Sequence, residues 1–230
     1  MTRNDDVAKR WLWLFPFELA LFAAVFWGDK AGLVPVSKTP FLFLIAWASL
    51  LIRRQTWRSV GLTFGRRWLS LVGVGIVAGL IFWGFEYYVE NPLFRAWFGV
   101  HPDLSDFKDI VGNLPALLII LILNLVLAGF GEEMVWRGYA VSRTAEILGS
   151  GRFAWAIAIV GVSVAFGLAH AYQGEAGVAQ AAVQGALLGA LYLATGRNLV
   201  APIIAHVTAN TCDFILIYLG IHVGLGGAPA

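Results

Sequence analysis

Charge is scarce in this chain. Asp, Glu, Lys and Arg together make up 13% of its 230 residues, where a soluble globular protein carries about 25%. The net charge is only +2, which excludes the dense basic surface of a nucleic-acid binder. Cysteine occurs once, at Cys212 inside an apolar run, so no disulfide can form within the chain and the redox compartment is not encoded. Linkers, low-complexity segments and repeats detectable by eye are also missing, which argues against a second domain and against the inverted repeats of many transporters. The amino terminus has no small-x-small cleavage site, and Asp5 and Asp6 dilute its positive charge. Its apolar stretch is therefore expected to be a retained helix rather than a cleaved signal.

Hydrophobic residues fill the space that charge leaves, at 59% of the chain. They come in long runs, and about 20 apolar residues in helical form cross a bilayer core about 30 Å thick. Candidate spans fall near 11–27, 39–52, 68–89, 114–139, 153–172, 176–195 and 199–219. The expected fold class is all-α: one integral membrane domain over 1–230, a polytopic transmembrane bundle of about seven or eight helices. The second span is short, which suits a tilted or interfacial helix or one extended back through Pro35. The sixth carries Gly177, Ala181, Gly185 and Gly189 four residues apart, a small-residue stripe for close helix packing. Gln180 and Gln184 share that spacing and are placed to bond across helices. The closing "GLGGAPA" is expected to be a flexible end, and it is not a prenylation terminus.

Loop charges give a direction. Arg53, Arg54, Arg58, Arg66 and Arg67 share one connection with no acid among them, whereas the next holds Glu90, Asp103, Asp106 and Asp109. Basic loops stay cytoplasmic. That places the amino terminus, with Arg3, Lys9 and Arg10, inside, and the carboxyl terminus outside. In a bacterium the membrane would be the plasma membrane.

Ionisable side chains inside a membrane are expensive, about 2.5–3.5 kcal/mol each on insertion scales, and are functional candidates for that reason. Glu18, Glu86, Glu132, Glu133, Arg137, His170, His206 and Asp213, with the amide Asn210, lie in or near spans. Glu133 and Arg137 are i and i+4, so they share a helical face and can pair. Glu132, rotated by about 100°, is then free to aim elsewhere in the bundle. His206 and Asn210 are again i and i+4, and both can donate hydrogen bonds. Taken singly, each is also compatible with a headgroup anchor or with polar glue between helices. Together, a free carboxylate, two imidazoles and an amide in water-poor surroundings are the parts for hydrolysis: a base for water and donors for the oxyanion.

The run "EEMVWR" (132–137), "FGLAH" (166–170) and "HVTAN" (206–210) matches EExxxR, FxxxH and HxxxN in order on successive membrane segments. The sequence in this respect resembles the CPBP family of intramembrane glutamic endopeptidases, which includes type II CAAX prenyl endopeptidases and relatives linked to bacteriocin processing or self-immunity. The resemblance covers about 114–215, the expected catalytic core. It implies Glu132 as the base that activates water, His170 as a holder of that water, and His206 with Asn210 as the oxyanion pair. Glu133, Arg137 and Phe166 are implied as supporting residues. The implied partners are a peptide or protein substrate reaching the site from membrane or cytoplasm, and the bilayer itself.

Alternatives stay open at this stage. A zinc peptidase would use His170, His206 and a glutamate, although no HExxH pattern is present. A non-catalytic immunity or transport protein would use the same groups in a proton relay. No cofactor is expected on the leading reading, and oligomeric state is not readable. Depth poses a geometric condition. Counting about 1.5 Å per residue puts His170 about 25 Å from Glu132, so the two meet only if the fifth helix begins as a cytoplasmic projection or the fourth is tilted or broken near Gly129 and Gly131.

Overall fold

The computed structural model describes residues 11–225, and these are helical with no strand among them. The helices are α1 (Phe15–Lys30), α2 (Thr39–Ile52), α3 (Trp68–Phe98), α4 (Leu114–Ile147), α5 (Arg152–Leu168), α6 (Gly174–Ala194) and α7 (Val200–Tyr218). The expected charges Arg3, Lys9 and Arg10 lie outside the described residues, as do 226–230. Gly224 and Leu225, expected to belong to a flexible end, instead form a short helical turn. Gly224 sits where an added Cβ would meet Pro102 O at 2.8 Å.

By length and composition, α3, α4, α7 and the segment Ala171–Ala194 that contains α6 are sufficient to cross a membrane. Helices α2 and α5 are apolar but shorter, at 14 and 17 residues. At about 1.5 Å per residue they reach only about 21–26 Å, less than a hydrocarbon core of about 30 Å, so length alone does not fix the number of crossings. The outward faces are greasy: Val77 and Ile81 on α3, Ile119 and Ile122 on α4, and Val160 and Val164 on α5 are exposed. In water such a belt would drive aggregation; in lipid it is the natural solvent-facing surface.

The start of α4 is set by Asn113, whose side-chain oxygen accepts from the backbone N–H of Ala116 at 3.2 Å, with Pro115 in the first turn. Wide π turns then occupy Asn124–Glu132 and Met134–Val141. They coincide with glycines that allow neighbours in. A Cβ on Gly129 would overlap the Val207 side chain of α7, and one on Gly131 would lie 2.7 Å from the Thr39 methyl of α2. π turns of this kind are frequent at functional sites. The α6 stripe packs as expected, with Gly185 against Ser163 and Gly189 against Ile159 of α5.

At the Arg-rich end, Glu18 of α1 is held by Arg53, and its Oε1 accepts from Ser49 Oγ at 2.6 Å. The phenol of Tyr139 donates to the same serine at 2.8 Å. Arg53, one of the five arginines of the basic connection, is thus a buried tie between α1 and α2. Asp213 of α7 accepts from the Trp83 indole at 3.0 Å.

Candidate active site

The two glutamates of "GEEMVWRGY" diverge. Glu133 is fully buried and shares one carboxylate oxygen between two partners: Arg137 Nη1 at 2.7 Å and His206 Nδ1 at 2.8 Å. The i, i+4 pairing read from sequence is therefore formed, and it extends to α7. The Arg137 guanidinium stacks over the Phe166 ring at 4.4 Å. Phe166 in turn meets Trp136 edge-on at 5.5 Å, His206 edge-on at 6.3 Å and the His170 ring at 4.6 Å. One aromatic side chain of α5 thus touches a residue from each of the three motifs.

His170 lies just beyond the end of α5, with Nδ1 2.9 Å from the Phe166 carbonyl. A carbonyl only accepts, so Nδ1 carries the proton and, in the neutral ring, Nε2 is the acceptor. For His206, Nδ1 is turned to Glu133, leaving Nε2 for a ligand; it donates there when the ring is protonated and accepts when the ring is neutral.

Glu132, partly buried, is approached from a different helix. Thr39 Oγ1 of α2 donates to its Oε1 at 3.4 Å, and His170, Tyr172 and Arg137 lie within electrostatic reach of it. The depth condition is met in a simple way. Helix α4 runs on to Ile147, fifteen residues past Glu132, and α5 climbs seventeen residues back from Arg152. The two legs are of similar length, about 23 and 26 Å, which suits the observed proximity of His170 to Glu132. Helix α4 is continuous through Gly129 and Gly131, so the approach needs no break there.

Asn210, one turn beyond His206, donates through Nδ2 to Asn124 Oδ1 at 3.1 Å. A small cavity opens beside the pair, lined by Phe166, His206 and Asn210 and, on its far wall, by Phe82, Glu86 and Gln184. Gln184 Nε2 donates to Glu90 at 3.1 Å and approaches Glu86 at 3.4 Å, while Gln180 donates to Asn91 at 2.9 Å. Both glutamines therefore bond across to α3 as their spacing suggested. Glu18, Glu86 and Asp213, the other intramembrane acids, have their own local partners. Among the described residues, no three His, Cys, Asp or Glu side chains group closely enough to hold a metal ion.

Two polar residues of the site escaped the reading of the sequence. Asn124 is the lone polar side chain in the run 114–130, and that isolation was its signal. Thr39 carried none, being a threonine at the start of an apolar helix.

Residues 114–212 match the family model described as type II CAAX prenyl endopeptidase Rce1-like. Neither the curated proteins nor the solved structures gave a match. The matched segment contains all three motifs and the whole Glu133–Arg137–Phe166–His206 cluster. Over residues 114–212 this integral membrane protein is thus similar to the Rce1-like type II CAAX prenyl endopeptidases, a family of proteases.

Proposed function

We propose that the chain is an intramembrane endopeptidase in which Glu132 activates the attacking water. The observation that supports this most directly is the convergence of all three motifs on Phe166, with the two glutamates kept in separate surroundings. Glu133 is occupied by Arg137 and His206. Among the described residues, the side-chain hydrogen bond of Glu132 is the long Thr39 contact, with His170 nearby. A water donating one hydrogen to Glu132 and the other to His170 Nε2 would present its lone pair to a substrate carbonyl. Glu132 takes the proton as the C–O bond forms. The carbonyl electrons move to oxygen, where protonated His206 Nε2 and the Asn210 carboxamide donate. Collapse of the adduct breaks the C–N bond, and the proton held by Glu132 goes to the departing amine. No step is routed through a metal ion or a cofactor.

The family description points to a CAAX-type protein or peptide as substrate, with precursor-peptide processing as the other class such a site can serve. The loop charges support an orientation with the Arg-rich end cytoplasmic, in the plasma membrane if the source is bacterial.

The test is cleavage by purified protein in liposomes, offered a farnesylated CAAX peptide and its unprenylated counterpart. Wild type is expected to cleave at least one. Glu132→Gln is expected to keep its melting temperature and lose cleavage. A fully active Glu132→Gln variant would overturn the role of Glu132; a wild type that binds but never cuts would overturn the peptidase reading.

A further inference from the structure

An oxyanion donor made from a carboxamide works in only one of its two orientations. Asn210 must turn its NH2 group, and not its oxygen, toward the developing charge. The structure contains a device that dictates this choice. Asn124, on the π-helical part of α4, is 3% exposed. Its Nδ2 lies 3.1 Å from the backbone carbonyl of Val207 and 3.3 Å from Thr211 Oγ1. The Val207 carbonyl can only accept, so the end of Asn124 that faces it must be the NH2 group. The Asn124 oxygen is thereby turned to Asn210, which answers with its own Nδ2 at 3.1 Å. A flipped Asn210 would set two carbonyl oxygens against each other. One N–H of Asn210 is used in this contact, and the second is left to serve a ligand in the cavity that Asn210 lines.

The contact depends on how closely α4 and α7 approach. Gly129, one π turn beyond Asn124, is where a Cβ would overlap the Val207 side chain. The missing side chain brings the Val207 carbonyl within reach of Asn124. The main chain of α7 is thus the fixed reference, and the order of donors and acceptors passes from it through Asn124 to Asn210.

We propose that Asn124 is a positioning residue, which orients the carboxamide of Asn210 for oxyanion stabilisation and never itself touches the substrate. The proposal rests on the peptidase reading above. It predicts a loss in kcat with little change in KM, because the oxyanion exists only after attack. It also predicts that the effect disappears when Asn210 is already gone.

The experiment is a double-mutant cycle with the full-length protein and whichever peptide the wild type cleaves. Asn210→Ala is expected to lower kcat by about 100-fold, as for loss of one oxyanion donor. Asn124→Leu, which keeps the volume and suits an apolar run, is expected to lower kcat by about 10–100-fold with KM within about twofold. Asn124→Leu added to Asn210→Ala is expected to cause no further loss. Equal losses in both backgrounds, or full activity of Asn124→Leu, would overturn the proposal. Should Asn124→Leu fail to fold, Asn124→Ser is too short to reach Asn210 and takes its place in the same cycle. If wild type cleaves nothing, the peptidase reading is the one that fails; if it cleaves and the cycle is additive, only the positioning role does.

Discussion

Glu132 and Glu133 are adjacent in the chain, yet they are expected to respond to mutation in opposite ways. Glu133 sits with Arg137 in a buried pair whose side chains are 0% and 2% exposed. Removing one partner leaves the other charged, desolvated and alone, which costs about 3–5 kcal/mol. Glu133→Ala and Arg137→Ala should each lower the melting temperature sharply, and Glu133→Ala should also release the His206 ring. Glu132→Gln should change stability by less than about 1 kcal/mol, because the Thr39 contact at 3.4 Å is long for a hydrogen bond. Thermal unfolding in one detergent, run on all three variants alongside the cleavage assay, separates the two roles. A large loss of stability in Glu132→Gln would show that its carboxylate is structural. The pairing of Glu133 with Arg137 was legible from spacing, since helix geometry alone brings i and i+4 together. The third member, His206, was not, because the partner comes from a helix 73 positions away and sequence carries no measure of that approach.

Helix α7 carries both His206 and Asn210, so the site depends on how that helix is held. Glycines on two neighbours grip it. A Cβ on Gly79 of α3 would lie 2.5 Å from the Ala205 carbonyl and 2.7 Å from the Thr208 side chain, and one on Gly129 of α4 would overlap Val207. Backbone cannot yield cheaply there, and close helix contact is the main source of packing energy between membrane helices. Gly79→Leu should therefore displace α7 and lower both melting temperature and turnover. Gly84→Ala, farther along α3 where nothing lies within 4 Å of an added Cβ, should be silent. Equal behaviour of the two variants would refute the grip. The small-residue stripe of α6 could be read from its four-residue period. The glycines of α3 and α4 could not be ranked in that way, because a glycine in an apolar helix looks the same whether lipid or backbone lies beside it.

Over the whole molecule, the segment before residue 114 lies outside the family match but inside the architecture. Helices α1 and α2 are fastened to each other by the buried Glu18–Arg53 pair and to α4 through Ser49 and Tyr139. Arg53→Met should lower stability by about 3–5 kcal/mol, for the same reason of an orphaned buried charge. Adding Glu18→Gln should restore part of it, since a neutral amide is cheaper to bury than a carboxylate. Melting temperatures of the single and double variants check this, and a double variant worse than the single would count against it. Orientation is tested separately in a Cys212→Ser background. With the Arg-rich end inside, a membrane-impermeant maleimide should label Asp109→Cys in intact cells and Arg58→Cys only after lysis. Both positions are exposed, so the reverse pattern would invert the topology.

By itself, the sequence determined the class of solvent and the inventory of chemistry. Scarce charge and long apolar runs require lipid, because water cannot stabilise such a surface, and each ionisable residue kept at that cost stands out. Spacing along a helix further decided which of these residues share a face. Tertiary structure decided everything that depends on distance between helices. It brought His170 near Glu132, gave Glu133 to His206, and turned Asn210 by way of Asn124. Those outcomes rest on the depth at which each helix begins and on how closely two backbones approach. Such quantities are sums over the packing of the whole bundle, and no local pattern of residues records them.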